Sequence, residues 1–268
     1  MRLGGFYAWV TRRIAALPLA PAALLGVTMA ASAALSAVFS NDVVCLSMAP
    51  VLADACLRRR LDPVPFLLGL ACAANIGSAA TLIGNPQNML IGEVLSLSFA
   101  GYLGYAFVPV SVGLVFLAAR GGGPRRRRAP DDEPAPALEQ DARPRGLGAA
   151  HPLHRAFRRE PRARPDGPLS EPVPLFASAF VLSNVVSNVP AVMLLLPAAT
   201  QPFSGPMLAL VSTLAGNLLI VGSIANIIVV DAARRRGIAI SWLRHARTGV
   251  PVTVTTLAVT AAWFWLQG

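Results

Sequence analysis

The sequence contains no lysine and few charged residues of any kind. All 23 basic residues are arginine, they face 13 acidic residues, and only 13% of the 268 positions are charged. Hydrophobic residues make up 54% of the chain. This composition excludes an ordinary soluble enzyme and indicates an integral membrane protein, so we expect no enzymatic activity.

Cysteine and histidine are also scarce, with three of each. An odd number of cysteines gives no disulfide framework, and all three lie in or near apolar stretches as small hydrophobic residues. No histidine has a cysteine or carboxylate partner spaced to complete a metal site, so we expect no metal centre. His245 lies in a basic segment, where we expect it to be solvated.

The arginines lie at the edges of apolar segments, for example at Arg12, Arg13 and positions 58–60. Cytoplasmic loops have this distribution under the positive-inside rule. It argues against a nucleic-acid partner, which the net charge of +10 would otherwise suggest. We therefore expect a multi-pass protein of a bacterial inner membrane, with the lipid bilayer as its surroundings.

A short pattern occurs twice, consisting of a Ser-Asn pair within an apolar run and a second apolar run broken by glycine and asparagine. The residues Ser40, Asn41 and Pro50 recur 147 positions later, and Gly84 and Asn88 recur 138 positions later. Polar, helix-breaking residues paired between two halves of a membrane protein are the sequence indication of a secondary transporter's binding site.

The first copy predicts a helical hairpin followed by a broken helix. Residues 17–56 form an apolar run between two arginine clusters, and one helix of that length would be nearly twice as long as a span requires. A re-entrant hairpin that turns at Ser40 and opens to the cytoplasm satisfies the charge rule. Residues 65–97 then predict a span that is unwound around 83–88, and residues 102–119 predict a further span.

The second copy predicts the same order of elements. The hairpin pattern recurs at 172–199, the broken span at 207–230, and a last span at 250–266. We predict an all-α membrane protein with a first transport module at 1–119 and a second at 173–268. The segment 120–172, rich in Arg and Pro, predicts a disordered cytoplasmic linker.

Asp42 is the only acidic residue well inside an apolar stretch. An ionisable group at such a depth costs about 2.5 to 3.5 kcal/mol on insertion scales. It should therefore face a water-filled cavity and either titrate or bind a cation. The alternative is a helix cap, in which Asn41 or Asp42 only satisfies the first amides of the following helix.

The two hairpin turns supply backbone N–H groups, positive helix ends and short polar side chains suited to an anion. Carbonyls released by the broken spans can coordinate Na+ or accept a hydrogen bond from a protonated substrate. The residues themselves nominate the following side chains of the broken spans: Asn75, Ser78, Thr81, Asn85, Asn88, Asn217, Ser223 and Asn226.

The motifs SNDVVCLSMAP at 40–50 and ANIGSAATLIGNPQNMLIG at 74–92 resemble the signature of the ion transporter superfamily. That group includes arsenical pump membrane proteins, sodium/proton antiporters, and citrate or dicarboxylate permeases. The resemblance implies an inverted-repeat, elevator-type carrier whose two hairpins and two broken helices hold the substrate. The site residues it implies are Ser40, Asn41, Asp42, Asn75, Thr81, Gly84, Asn85, Asn88, Ser187, Asn188, Asn217, Gly222 and Asn226.

The resemblance favours transport of a small anion or oxyacid, with H+ or Na+ as the coupling ion. A Na+ site would lie near Asn41, Asn75, Asn188 and Asn217. The alternatives are a sodium/proton antiporter-like carrier, a truncated remnant without transport activity, and a subunit that needs a partner. Such a subunit would need a homodimer or a partner chain to supply the missing scaffold.

Two features depart from the family pattern. No scaffold helices precede either hairpin, and Leu219 stands at the position equivalent to Thr81, where the family is usually polar. A second hairpin that opens outward would have to start outside the membrane, yet the sequence shows no span between residues 119 and 172. Either residues 172–199 cross the membrane as one bent span, or the chain is a shortened derivative of a complete carrier.

Overall fold

A computed structural model describes residues 3–120 and 168–267, so most of the predicted linker lies outside the described residues. Within the two described ranges the regular elements are all helical, as the composition predicts. The first range contains α1 (Leu3–Ala16), α2 (Pro21–Val38), α3 (Asn41–Arg58), α4 (Pro63–Ser78), α5 (Pro86–Val94) and α6 (Phe99–Arg120).

The second range repeats this order without a counterpart of α1. It contains α7 (Pro172–Val185), α8 (Asn188–Leu195), α9 (Ser204–Ala215), α10 (Ile224–Arg234) and α11 (Trp242–Gln267). Short 3-10 turns lie at Pro168–Ser170, Leu196–Ala198 and Ile220–Gly222.

Helices α2 and α3 form the predicted first hairpin. Both pack against α4, and the chain turns between them at Ser40. At the other end of the hairpin, the guanidinium of Arg59 donates hydrogen bonds to the carbonyls of Ala15 and Leu19, both at 3.3 Å. The end of α3 has therefore returned to the level at which α2 begins.

Helices α7 and α8 form the second hairpin. They pack side by side against α9. The amide of Gln201, which follows α8, donates to the carbonyl of Ser170, which precedes α7, at 3.4 Å. Residues 172–199 therefore fold back on themselves instead of crossing as a single bent helix.

Each hairpin is followed by a broken helix at the centre of the protein. Helices α4 and α5 are separated by residues 79–85, and α9 and α10 by residues 216–223; we call these the first and second breaks. Every residue of α9 is buried, as is every residue of α4 except Pro65.

The predicted unwinding at 83–88 is placed too late along the chain. Pro86 occupies the first turn of α5, a position where its missing N–H costs nothing. Asn85 caps this helix, because its side-chain oxygen accepts from the backbone N–H of Asn88 at 2.9 Å. Proline therefore marks the restart of the helix and not the middle of the break.

The helices run between two ends of different chemistry. At the arginine end, Arg236 pairs with Asp54 at 2.6 Å and Arg244 pairs with Asp62 at 3.1 Å. At the aromatic end, the rings of Tyr105 and Phe264 stack with their centroids 5.6 Å apart.

The first hairpin opens at the arginine end, because α4 begins there beside Asp62. The second opens at the aromatic end, where Phe203 follows its last residues and lies 6.2 Å from Phe264 between ring centroids. The two halves of the chain are thus arranged in opposite directions. As a consequence, α6 finishes at the arginine end whereas α7 starts at the aromatic end.

Among the helices of the described residues, three, namely α2, α6 and α11, are long and apolar enough to cross a membrane. Helices α6 and α11 pack on each other and on α4 and present apolar side chains outward. Val115 and Val254, for example, are 70% and 60% exposed. The last helix begins earlier than predicted, so Arg244 and Arg247 lie in its first turns.

The inverted arrangement predicts the sides from which cysteine substitutions are labelled in membrane vesicles. The three native cysteines are buried and can be replaced to give a silent background. An impermeant maleimide should label Arg58→Cys and Arg235→Cys from the cytoplasmic side, and Glu171→Cys and Thr200→Cys from the opposite side. Labelling of Arg58→Cys and Glu171→Cys from the same side would contradict the inverted arrangement.

Candidate functional site

The two hairpin turns meet the two breaks at the centre of the protein. We call Ser40–Asp42 the first tip and Ser187–Asn188 the second tip. In the first half, the backbone N–H of Asn41 donates to the carbonyl of Gly84 at 3.2 Å. In the second half, the amide of Asn188, oriented with its nitrogen toward two carbonyls, donates to Gly222 at 3.2 Å and to Ser212 at 3.0 Å.

Gly84 and Gly222, the equivalent residues of the two breaks, lie in tightly packed surroundings. A Cβ atom on Gly84 would collide with the backbone of Ser78. A Cβ atom on Gly222 would lie 2.9 Å from the side-chain oxygen of Asn184. Both glycines therefore leave room for neighbouring atoms at the breaks.

An asparagine satisfies the free carbonyls within each break. The amide of Asn88 donates to the carbonyl of Thr81 at 2.9 Å. The amide of Asn226, 138 positions later, donates to the carbonyl of Leu219 at 3.0 Å. Position 81 and its equivalent thus supply a backbone acceptor, which the leucine at 219 retains.

Asn75 on α4 joins the first half to the second. Its amide nitrogen donates to the side-chain oxygens of Asn217 at 3.0 Å and Asn226 at 3.4 Å. Its oxygen accepts from the hydroxyl of Ser223 at 3.0 Å and from the amide of Asn41 at 2.9 Å. All five residues are buried.

Thr213 on α9 makes the reciprocal connection. It lies 138 positions after Asn75, and its hydroxyl accepts from the amides of Asn85 and Gln87, both at 3.2 Å. The same hydroxyl donates to the side-chain oxygen of Asn88 at 3.2 Å. Each central helix therefore uses one polar residue to hold the break of the other half.

Thr213, Gln87 and Tyr102 belong to the network but were not predicted from the sequence. The hydroxyl of Tyr102 donates to the carbonyl of Ala79 at 2.8 Å and accepts from the amide of Asn88 at 3.1 Å. Applying the repeat offset of 138 to Asn75 would have identified Thr213. No comparable signal distinguishes Tyr102 from an interfacial aromatic residue.

The expectation that His245 is solvated is wrong. Its side chain is 2% exposed, and its Nε2 atom lies 3.1 Å from the carbonyl of Asn217 in the second break. Gly249, one turn further along α11, permits this contact because a Cβ atom there would collide with the same carbonyl. His245 thus occupies one of the acceptors that the break releases.

The predicted site residues differ in how accessible they are. Most of the asparagines are buried, whereas five residues at or near the tips are partly exposed: Ser40, Asp42, Thr81, Ser187 and Asn188. Thr81 also donates through its hydroxyl to the carbonyl of Ala37. Ser78 is buried, and its hydroxyl donates to the carbonyl of Asn75 at 2.9 Å.

Asp42 lies in the first turn of α3, where the positive end of the helix favours its negative charge. The N-cap residue of α3 is Ser40, which makes no side-chain capping bond, and the side-chain oxygen of Asn41 accepts from the N–H of Asp42 at 3.0 Å. Among the described residues, the Asp42 carboxylate has no hydrogen bond or ion pair. Of the capping alternative, the structure shows one contact, from Asn41 to a first amide of α3, and none from Asp42.

The second half holds polar atoms without partners. Among the described side chains, the amide nitrogen of Asn217 and the side-chain oxygen of Asn184 are buried and unpaired. Ser187 at the second tip has a φ angle of 77°, a left-handed conformation that costs about 1 to 3 kcal/mol for a residue with a side chain. Within the described ranges no three His, Cys, Asp or Glu side chains gather as a metal site.

The position of Thr213 predicts that Thr213→Val destabilises the protein by about 2 to 3 kcal/mol, because valine keeps the shape but leaves buried amide groups of the first half unpaired. The measurement is the free energy of unfolding in detergent micelles. Thr28→Val is the matched control, since that hydroxyl is buried and donates only to the carbonyl of Leu24 within its own helix. Equal losses in both variants would contradict the role given to Thr213.

Comparison with known proteins places this arrangement in context. The profile of the family described as Citrate transporter matches residues 1–138. A Dictyostelium discoideum protein named as an arsB transporter is 37% identical over 83 residues, which are 31% of this chain and 15% of the relative. The Silicon efflux transporter LSI3 of Oryza sativa subsp. japonica is 46% identical over 68 residues, which are 25% of this chain and 14% of the relative.

A longer alignment relates the chain to an uncharacterized transporter of Mycobacterium tuberculosis. The two are 25% identical over 346 residues, which cover 97% of this chain and 80% of the relative. The aligned stretch is longer than the whole of this chain, which has 268 residues. The mycobacterial protein therefore carries internal residues that have no counterpart here.

Proposed function

Because this chain belongs to the citrate transporter family, we propose that it forms the substrate-binding core of a secondary-active transporter for a small anion or oxyacid. The observation that carries the proposal is the meeting of two hairpin tips and two helix breaks, with equivalent hydrogen bonds in both halves. Inverted-repeat carriers bind substrate near the bilayer midplane at such discontinuous helices.

The chemistry of the tips favours an anion. Helices α3 and α8 both begin at a tip, so their positive ends point toward the centre. The partly exposed donors beside them are the hydroxyls of Ser40 and Ser187. These donors suit the oxygens of a carboxylate or of an inorganic oxyacid, and the names of the relatives include citrate and silicon.

Asp42 is the proposed coupling group. It is half-buried, lacks a partner among the described residues, and is part of the first tip, where substrate would enter. Protonation would remove its charge, and a bound Na+ would neutralise it. The proposed Na+ ligands Asn41, Asn75 and Asn217 now bond to one another, so ion binding would exchange some of these hydrogen bonds for ion contacts.

The proposed carrier also needs a scaffold. Residue 120 lies at the arginine end and residue 168 at the aromatic end. The mycobacterial relative contains additional internal residues that have no counterpart in this chain. We propose that a homodimer or a partner chain covers the exposed apolar sides of α6 and α11. Under the positive-inside rule the arginine end faces the cytoplasm of a bacterial inner membrane.

Transport in proteoliposomes tests the function. The wild type should accumulate one of citrate, arsenite or phosphate under a pH or Na+ gradient, and Asp42→Asn should abolish gradient-driven accumulation while membrane insertion is unchanged. Asp231→Asn is the control, because that carboxylate is exposed and pairs with Arg235 at the arginine end.

Each other outcome has a defined meaning. Normal accumulation by Asp42→Asn would remove Asp42 from the coupling mechanism. Gradient-driven Na+ flux without any anion substrate would favour the sodium/proton antiporter-like alternative. The unpaired carboxylate of Asp42 would then be the group that binds H+ or Na+. Absence of every flux in the wild type would support a remnant that does not transport, or a subunit that requires its scaffold partner.

A further inference from the structure

We propose that a cleft at the arginine end binds an anionic phospholipid, with the phosphate at three arginines and an acyl chain on an apolar floor. The cleft lies between α2, α4, α6 and α11 and has a volume of about 290 Å³. It is separate from the tips and breaks at the centre, so this inference does not depend on the proposed transport function.

The floor of the cleft is apolar. Leu25 and Met29 of α2, Leu68 of α4 and Leu117 of α6 line it, and each of these side chains is at most 5% exposed. Gly69 of α4 lies beside Leu25 and Met29, and a Cβ atom there would come within 3.1 Å of the Leu25 side chain. The absence of a side chain at position 69 therefore keeps this part of the floor open.

The rim of the cleft is cationic. Arg120, Arg244 and Arg247 line it together with a single acidic residue, Asp62. Asp62 neutralises Arg244 at 3.1 Å. Arg120 has its guanidinium 5.8 Å from the ring centroid of Phe116, and neither Arg120 nor Arg247 has an acidic partner among the described residues. The rim therefore has an excess of two positive charges.

This combination favours a phospholipid over a small soluble anion. Guanidinium groups match the geometry of phosphate oxygens, and basic pockets between membrane helices are suited to lipid headgroups. Because α6 and α11 are candidate spans, Arg120 and Arg247 lie near one end of each, at the level expected for headgroups. A small anion would use the rim only and leave the apolar floor uncovered.

The test is lipid binding by the purified full chain in detergent, measured as the thermal unfolding midpoint against lipid concentration. Phosphatidylglycerol should raise the midpoint, whereas phosphatidylcholine with the same acyl chains and soluble glycerol phosphate should not. In the double variant Arg120→Gln/Arg247→Gln the apparent affinity should fall about thirtyfold, since each arginine near an anionic surface contributes about 1 kcal/mol.

The matched control is the double variant Arg12→Gln/Arg234→Gln, which removes two exposed arginines that do not line the cleft. It should retain the affinity of the wild type. Equal losses in the two double variants would show non-specific charge attraction and overturn the site. An equal effect of glycerol phosphate would overturn the lipid and indicate a small-anion site instead.

Discussion

The structure depends on the exchange of polar contacts between its two broken helices. Each break releases backbone carbonyls at a depth where water is scarce, and leaving such groups unpaired costs several kcal/mol. Asn88 and Asn226 satisfy these carbonyls within each half, and Asn75 and Thr213 then fix these asparagines across the centre. The positions of the tips follow, because each tip donates to the glycine carbonyl of its adjoining break.

The two halves share this framework but differ in how completely their polar groups are paired. In the first half Asn88 donates to Asn85 through its backbone N–H and to the hydroxyl of Tyr102 through its amide. In the second, Asn217 keeps an unpaired amide nitrogen, and His245 of α11 takes one of the released carbonyls. The second half is therefore where a ligand would gain most by pairing with the protein, and His245 links that region to the last helix.

The sequence was sufficient to predict the first hairpin, the existence of two breaks and most of the buried asparagines, because these residues recur in the second half and interrupt apolar runs. It placed the first break too late along the chain and left residues 172–199 open as a single bent span. It could not place His245 or Tyr102, whose roles depend on contacts between helices distant in the chain. Leu219 lacks the hydroxyl of Thr81, but its carbonyl still takes part in the second break. The return of residues 172–199 as a hairpin required the positions of Ser170 and Gln201 in space.

The most direct test of the central claim is a double-mutant cycle on Asn75→Ala and Ser223→Ala, with the free energy of unfolding measured in mixed micelles. If the two halves are held together by this network, the losses should be non-additive by about 1 kcal/mol. The pair Asn75→Ala and Ser183→Ala provides the control, since the buried hydroxyl of Ser183 has no partner among the described residues. Additive losses for Asn75 and Ser223 would contradict the account.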